Sequence, residues 1–335
     1  MSFCLINSIN FKHNIKVVSK YIDINKIAFV IKNNAYGHGL LEMARLANES
    51  RIKHAIVISS EEAKLVEDFF DTILVLSDIS SISKSKKIRI AINDLESINK
   101  IPDSTLVELK VDTGMHRNGI HINDLDRALE RIESRGLLLK GVFTHFADPF
   151  KGNSIFNQKD LFDKVRQKVD MMNIGEDIRF HCSSSPGVFR IDNSEYDMVR
   201  VGIALYGYVD LPNDMEYPDL KPVLSLWAER ISTRNILQGD RVGYGGVFKA
   251  KNNMQISTYD IGYGDGFMRL DENKMAKISD GRDVLGRVSM NNLAIAGNDQ
   301  EICIFDNVNE LSKVHNTISY EILCRINNNI EKRVV

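Results

Sequence analysis

A (β/α)8 TIM-type barrel followed by a mainly β domain is the fold that this 335-residue sequence predicts. Three observations lead there. Eight short apolar runs alternate with amphipathic segments over the first two-thirds of the chain. A turn-rich stretch, Glu216-Tyr-Pro-Asp-Leu-Lys-Pro222, then holds two of the six prolines and reads as a linker. Beyond it the pattern becomes strand-like. At roughly 150 residues per domain the length favours two domains. The barrel is expected over residues 9–218 and the β domain over 219–335.

The eight runs are Ile27–Ile31, Ala55–Ser59, Thr72–Leu76, Ile88–Ile92, Thr105–Val111, Leu139–Thr144, Ile178–His181 and Met198–Ala204. Most are β-branched, and strands of a parallel sheet buried on both faces read that way. Between them Ser60–Phe70, Asp124–Ser134 and Gln158–Met172 have helical patterns, and Ser59 followed by Glu62 reads as a capping box. An open doubly wound sheet is the second candidate; the barrel is preferred on the count of eight. A barrel places its chemistry at the C-terminal ends of strands and in the loops that follow. In the second half, Leu224–Ser232, Arg241–Gly245, Gln255–Ile261, Ala276–Ser279, Val284–Met290 and Glu301–Phe305 read as strands, Asp280-Gly281 as a hairpin turn, and Thr317–Arg325 as a helix.

A hydrophobic share of 43%, a charged share of 26% and a net charge of −2 are ordinary for a globular protein and give no electrostatic reason to expect a nucleic acid or a membrane as partner. The basic stretch Lys84-Ser85-Lys86-Lys87-Ile88-Arg89 is short and reads as solvated surface. Four cysteines, Cys4, Cys182, Cys303 and Cys324, form no C-x-x-C pair, so neither a metal site nor a disulfide framework is expected. With no secretory pattern at Met1–Asn10 and no run of 18 apolar residues, the expected location is the cytoplasm.

The sharpest local signal is Ala28-Phe-Val-Ile-Lys-Asn-Asn-Ala-Tyr-Gly-His-Gly39, where an apolar strand ends in a lysine and a glycine-containing polar loop follows. Partial desolvation at a strand mouth lowers a lysine's pKa. The neutral amine can then form a Schiff base with an aldehyde such as pyridoxal phosphate (PLP). A strand-end lysine reaching out to water is the structural alternative.

That segment closely resembles the cofactor-lysine signature of the alanine racemase family. Six more resemble the family's motifs in the family's order: Lys110-Val-Asp-Thr-Gly-Met-His-Arg-Asn-Gly119, Thr144-His-Phe-Ala147, His181-Cys-Ser-Ser-Ser185, Val199-Arg-Val-Gly-Ile-Ala-Leu-Tyr-Gly207, Ile261-Gly-Tyr-Gly-Asp-Gly266 and Gly286-Arg-Val-Ser-Met290. The resemblance implies a PLP-binding barrel plus a β domain, with Met1–Ser8 joining the β domain, and a head-to-tail homodimer. The implied activity is interconversion of L- and D-alanine, supplying D-alanine for peptidoglycan.

It also implies roles, residue by residue. Lys32 holds PLP covalently and serves as one of two bases; Tyr263, contributed across the dimer interface, serves as the other. A free tyrosine has a pKa of about 10, so such a base needs tuning by its surroundings. His145, Arg200 and His181 form the hydrogen-bonded network behind it. Arg200 also faces the pyridine nitrogen, and a guanidinium, having only donors, keeps that nitrogen unprotonated. Tyr36, Ser185, Gly202 and Ile203 contact the phosphate. Arg117 and the Met290 backbone meet the substrate carboxylate, and Lys110 is the lysine often carbamylated in the family.

The chain departs from the family pattern at three places. Ser184 stands where the family has asparagine, Asn291 where it has aspartate, and Asn328 falls at the position of a tyrosine that narrows the active-site mouth. These departures leave a related racemase of broader or serine preference as the nearest alternative. A non-catalytic PLP carrier is the alternative of another class, but such carriers lack the β half that holds Tyr263.

Overall fold

The computed structural model describes residues 1–79, 85–150, 152–172, 174, 177–269 and 275–335. The chain forms two compact units. One comprises Phe11–Ala35 and Met43–Lys221, the other Met1–Asn10, Tyr36–Glu42 and Pro222–Val335.

The first unit is a nearly closed parallel barrel. Its strands run in the order Val199–Val201, Ile27–Val30, His54–Val57, Thr72–Val75, Ile88–Ile92, Leu106–Asp112, Leu138–Phe143 and Arg179–His181. All eight expected runs are therefore strands. The last gap is bridged at the strand ends, where Ser184 pairs in parallel with Arg200 and the Arg200 N–H donates to Ser183 O at 2.9 Å. Helices Ser60–Val66, Leu125–Ser134 and Ser154–Met172 fall in the three segments with helical periodicity. Helix Leu125–Ser134 buries Leu125, Ala128, Leu129 and Ile132, one face at helical spacing. Burial of each large side chain there is worth about 1.5–3 kcal/mol.

The Ser59 cap is only half a box. Its hydroxyl accepts the Glu62 N–H at 3.2 Å, but the Glu62 carboxylate reaches past Ser59 to the Ile58 N–H at 2.9 Å. The second carboxylate oxygen accepts the Asn34 N–H at 3.3 Å.

Strand register places charged and polar side chains inside the barrel. In-register partners share a face, and the chain of partners Arg200, Ala28, His54 and Thr72 continues through Leu74, Arg89, Ala91, Glu108, Gly141 and Arg179. Arg179 Nη1 donates to Thr72 Oγ1 at 2.9 Å between strands that are not neighbours, so this face looks into the lumen. Arg89 is thus a correction to the solvated-surface reading of the basic stretch: it turns inward and pairs with Glu108. Lys84 lies outside the described residues.

The second unit is built on a thirteen-residue strand, Leu224–Ile236. Its first half pairs with Phe3–Ile6 and Glu301–Phe305, its second with Met254–Tyr259, which in turn pairs with Leu293–Ala296. Strand Glu331–Val334 adds in parallel to Phe3–Ile6. Val284–Met290 is not the strand its composition indicates. Gly286 takes φ +75°, and a Cβ there would lie 2.6 Å from Val242 O, so the backbone turns away after one bridge, Val284 to Ile295. The late helix covers Ser319–Cys324, shorter than expected at both ends. Among the described residues no helix is long and apolar enough to cross a membrane.

Candidate active site

Strand Ile27–Val30 delivers Lys32 to the barrel mouth, held by Ile31 N–H to Ile56 O at 2.9 Å and by Tyr206 Oη to Val30 O at 3.0 Å. The next residues form one left-handed turn, with Asn33, Asn34, Ala35 and Tyr36 at φ +52° to +53°. L-residues resist this conformation by roughly 1–2 kcal/mol each, and asparagine tolerates it best. The paired asparagines and the bond from Asn34 N–H to Glu62 offset part of that cost.

At the centre of the mouth lies Arg200, only 5% exposed. Its Nη1 meets His181 Nδ1 at 2.8 Å; its Nη2 meets Thr144 O at 2.7 Å, Cys182 O at 2.8 Å and His145 Nδ1 at 3.1 Å. A guanidinium only donates, so both Nδ1 atoms accept. Each imidazole, if neutral, then carries its hydrogen on Nε2. Burial pushes His181 down to about 3, against the opposing pull of Glu108, and burial with the Arg200, Lys110, Arg117 and Lys32 charges pushes His145 well below its ordinary value. Both rings are therefore neutral at pH 7. Burial brings Arg200 down to about 10, still cationic.

Lys110 lies two residues beyond Glu108 on the same strand face. Burial, then Arg117, Arg200 and Lys32, push its amine down to about 8, while Asp112 opposes. The Asp112 carboxylate is itself engaged by the backbone N–H groups of Gly114, Met115 and His116, all at 2.9 Å. Ser185 opens the short helix Ser185–Arg190, and its Oγ accepts the N–H groups of Gly202 at 3.1 Å and Ala204 at 3.2 Å. Ile203 lies buried between them.

The second unit carries the remaining residues singled out above. Tyr36 is buried with its ring 5.8 Å from Tyr320, and burial raises its phenol, so it stays a neutral donor. Tyr263 begins a 3-10 turn, Tyr263–Asp265, locked to the Met290 loop by Tyr263 N–H to Ser289 O at 3.1 Å and Gly264 N–H to Met290 O at 2.8 Å. A Cβ on Gly262 would lie 2.3 Å from Ser289 O, so glycine is required for that approach. Tyr263 is 43% and Met290 57% exposed in the single chain.

Sequence reasoning missed Glu108, Arg89 and Arg179. The available signal was the alternation of Glu108, Lys110 and Asp112 with Val107, Leu109 and Val111. It also missed the Ala204 amide, which, being backbone, leaves no mark on residue type.

The donor set fits PLP. The charges of Lys32, Arg117 and Arg200 all act on Lys110, and those four together act on His145, while the nearby Asp112 charge is already engaged by amides. An anionic phosphate finds a serine hydroxyl with convergent amides, an aldehyde finds a primary amine, and a pyridine nitrogen finds a donor-only partner. These features mark a class, the PLP-dependent enzymes built of a barrel and a β domain.

Comparison with known proteins narrows the class to a family. The family model "Alanine racemase, N-terminal domain" matches residues 6–210 and "Alanine racemase, C-terminal domain" matches 223–334. Alanine racemase of a Nitratiruptor species is 41% identical over 332 residues, covering 97% of each chain, and that of Campylobacter concisus is 37% identical over the full length of both. Among solved structures, alanine racemase of Clostridium difficile 630 superposes with a TM-score of 0.86 at 25% identity, over 100% of this chain and 95% of its own. The chain belongs to the alanine racemase family. Its activity is therefore an isomerase reaction on alanine with PLP as cofactor.

Proposed function

We propose that the chain interconverts L- and D-alanine by a two-base reaction in a homodimer, with Lys32 and the partner subunit's Tyr263 on opposite faces of the substrate. The carrying observation is Arg200, buried and bonded to two imidazoles that can only accept from it. Bound PLP supplies an electron-withdrawing ring that acidifies the amino acid's Cα–H. Lys32 Nζ takes or returns that proton on one face and the tyrosine Oη does so on the other. His145, neutral with its hydrogen on Nε2, donates toward the tyrosine oxygen and stabilises it when it lacks its proton. Arg200, bound to carbonyls on one edge, gives the pyridine nitrogen nothing but a hydrogen bond and leaves it unprotonated, which favours prompt return of the proton to Cα. Ser185, Tyr36 and the amides of Gly202 and Ile203 hold the phosphate; Arg117 and the Met290 N–H hold the carboxylate. The exposure of Tyr263 and Met290 in one chain supports completion of each site by a second copy. Purified protein with PLP should convert either alanine enantiomer to an equal mixture, read by chiral chromatography; failure in both directions contradicts the reading.

The product serves peptidoglycan synthesis in the cytoplasm, a setting that four cysteines outside any disulfide bond support. Lys110 carries a carbamate: its neutral amine attacks CO2, an N–C bond forms, and the amine proton leaves to solvent. Because the neutral fraction of an amine titrating at about 8 grows roughly 25-fold between pH 6.5 and 8.5, labelling from 13CO2 at fixed pressure should rise by at least an order of magnitude over that range. A carbamate carbonyl signal absent at every pH, or unchanged in Lys110→Ala, contradicts this.

Asn328 widens the mouth and removes a phosphate contact. Since one extra group in a pocket is discriminated by only about 1–3 kcal/mol, serine should be racemised within roughly 200-fold of alanine. PLP should also dissociate more readily than from Asn328→Tyr. Strict alanine preference together with tight PLP retention in the unaltered chain is the opposing result.

A further inference from the structure

One carboxylate inside the barrel has no part in the chemistry just described. Glu108 is fully buried. Its Oε2 accepts His181 Nε2–H at 2.7 Å, and its Oε1 accepts Arg179 Nε–H at 2.7 Å and Arg89 Nη1–H at 3.2 Å. Arg179 Nη2 also reaches Oε1. Burial works to raise the Glu108 carboxyl, but Arg179, the bond to His181 and Arg89 together outweigh it and hold it ionised. Room for it comes from Gly141, its in-register neighbour, where a Cβ would lie 2.8 Å from Glu108 Cδ. Around it stand Arg89 on one strand, Arg179 and His181 on another, His54 across the lumen and Lys110 on its own strand.

We propose that Glu108 is a positioning residue for the racemisation reaction: as an acceptor-only partner it fixes His181 in the Nε2–H tautomer, so that His181 Nδ1 can only accept from Arg200 and holds the guanidinium in the orientation that also reaches His145. The inference rests on the roles given above to Arg200 and His145. The alternative tautomer would set a His181 Nδ1–H against an Arg200 N–H 2.8 Å away and leave Nε2 without a donor before the carboxylate. The stacking of His181 on Phe143, at 4.8 Å and 4°, fixes the ring plane but not its tautomer. Only the partners on its two nitrogens do that, and Arg89 and Arg179 keep one of those partners ionised.

The variant Glu108→Gln separates charge and tautomer from volume. Its single amide oxygen is claimed by Arg179 and Arg89, so its NH2 faces His181 Nε2. That nitrogen must then accept, and the hydrogen moves to Nδ1, against Arg200. In holoenzyme labelled with 15N-histidine, the His181 resonances, assigned by their loss in His181→Gln, should show the neutral Nε2–H pattern from pH 6 to 9. They should change to the Nδ1–H pattern in Glu108→Gln. Expected with it is a fall in kcat of about 10- to 100-fold with KM within about threefold, a loss typical of partners that orient a reacting group through another side chain. Glu108→Asp, which keeps an acceptor-only carboxylate, should retain the native tautomer and recover most of kcat. A Nδ1–H tautomer in the unaltered protein overturns the proposal, whether or not either variant folds. So does a Glu108→Gln protein that keeps both the Nε2–H pattern and native kcat. Absence of alanine racemisation in the unaltered enzyme instead counts against the proposed function, because the tautomer is read without turnover.

Discussion

Lys32→Ala is expected to abolish racemisation and to leave a protein that no longer holds PLP covalently. The two losses have one cause. The Lys32 amine is the only primary amine that the strand Ile27–Val30 delivers to the barrel mouth, and in the proposed reaction the same Nζ exchanges the Cα proton on one face of the substrate. Removing it deletes an attachment and a base together, so the loss should exceed the 10²–10⁴-fold typical of a single proton-transfer group. The fold should persist. Lys32 lies beyond the end of the strand and is only partly buried, while the ladder bond from Ile31 N–H to Ile56 O is backbone and survives the substitution. Borohydride treatment and gel filtration, followed by visible absorbance, read the attachment; chiral chromatography reads the turnover. A variant that retains trapped cofactor contradicts the assignment of Lys32.

Tyr263→Phe should behave differently. It removes one hydroxyl from a side chain already 43% exposed, so stability and PLP retention should stay near native. Turnover should fall about 10²–10⁴-fold. The enantiomers should also part ways. The one whose Cα–H faces Lys32 should keep exchanging that hydrogen in deuterated water, because its base is intact. The other should exchange its hydrogen slower by about the same factor as interconversion. Equal residual exchange from both enantiomers, or native turnover, contradicts the second-base role.

The barrel was legible because its strands are apolar on the face that meets the helices and short enough to count. What hid was the lumen. His54, Thr72, Arg89, Glu108 and Arg179 share the inward face, and each has a hydrogen-bond partner on another strand, a pairing invisible in one dimension. Arg89 read as surface for that reason. The helix Ser8–Val18 was missed although Phe11, Asn14, Ile15 and Val18 keep helical spacing, because its core position Asn14 is polar. Its amide bonds Leu205 O and Lys221 O, and its oxygen takes Lys221 N–H, which makes a buried asparagine tolerable there. Val284–Met290 failed in the opposite sense: its composition is that of a strand, but Gly286 diverts it. Arg200, His145 and His181, all in the barrel, are hydrogen-bonded to one another through Arg200. Tyr36, Tyr263 and Met290 belong to the other unit, and the place proposed for them in the reaction rests on the family resemblance and on chemistry, not on spacing in the sequence.

The central claim is that each reacting centre takes Lys32 from one subunit and Tyr263 from another. Mixing unfolded Lys32→Ala and Tyr263→Phe chains in equal amounts and refolding them with PLP tests it directly. Half of the dimers should be hybrids, each with one fully native centre, so activity should return to about a quarter of that of the unaltered enzyme. Recovery no greater than the sum of the two variants refolded alone would show that both bases come from the same chain.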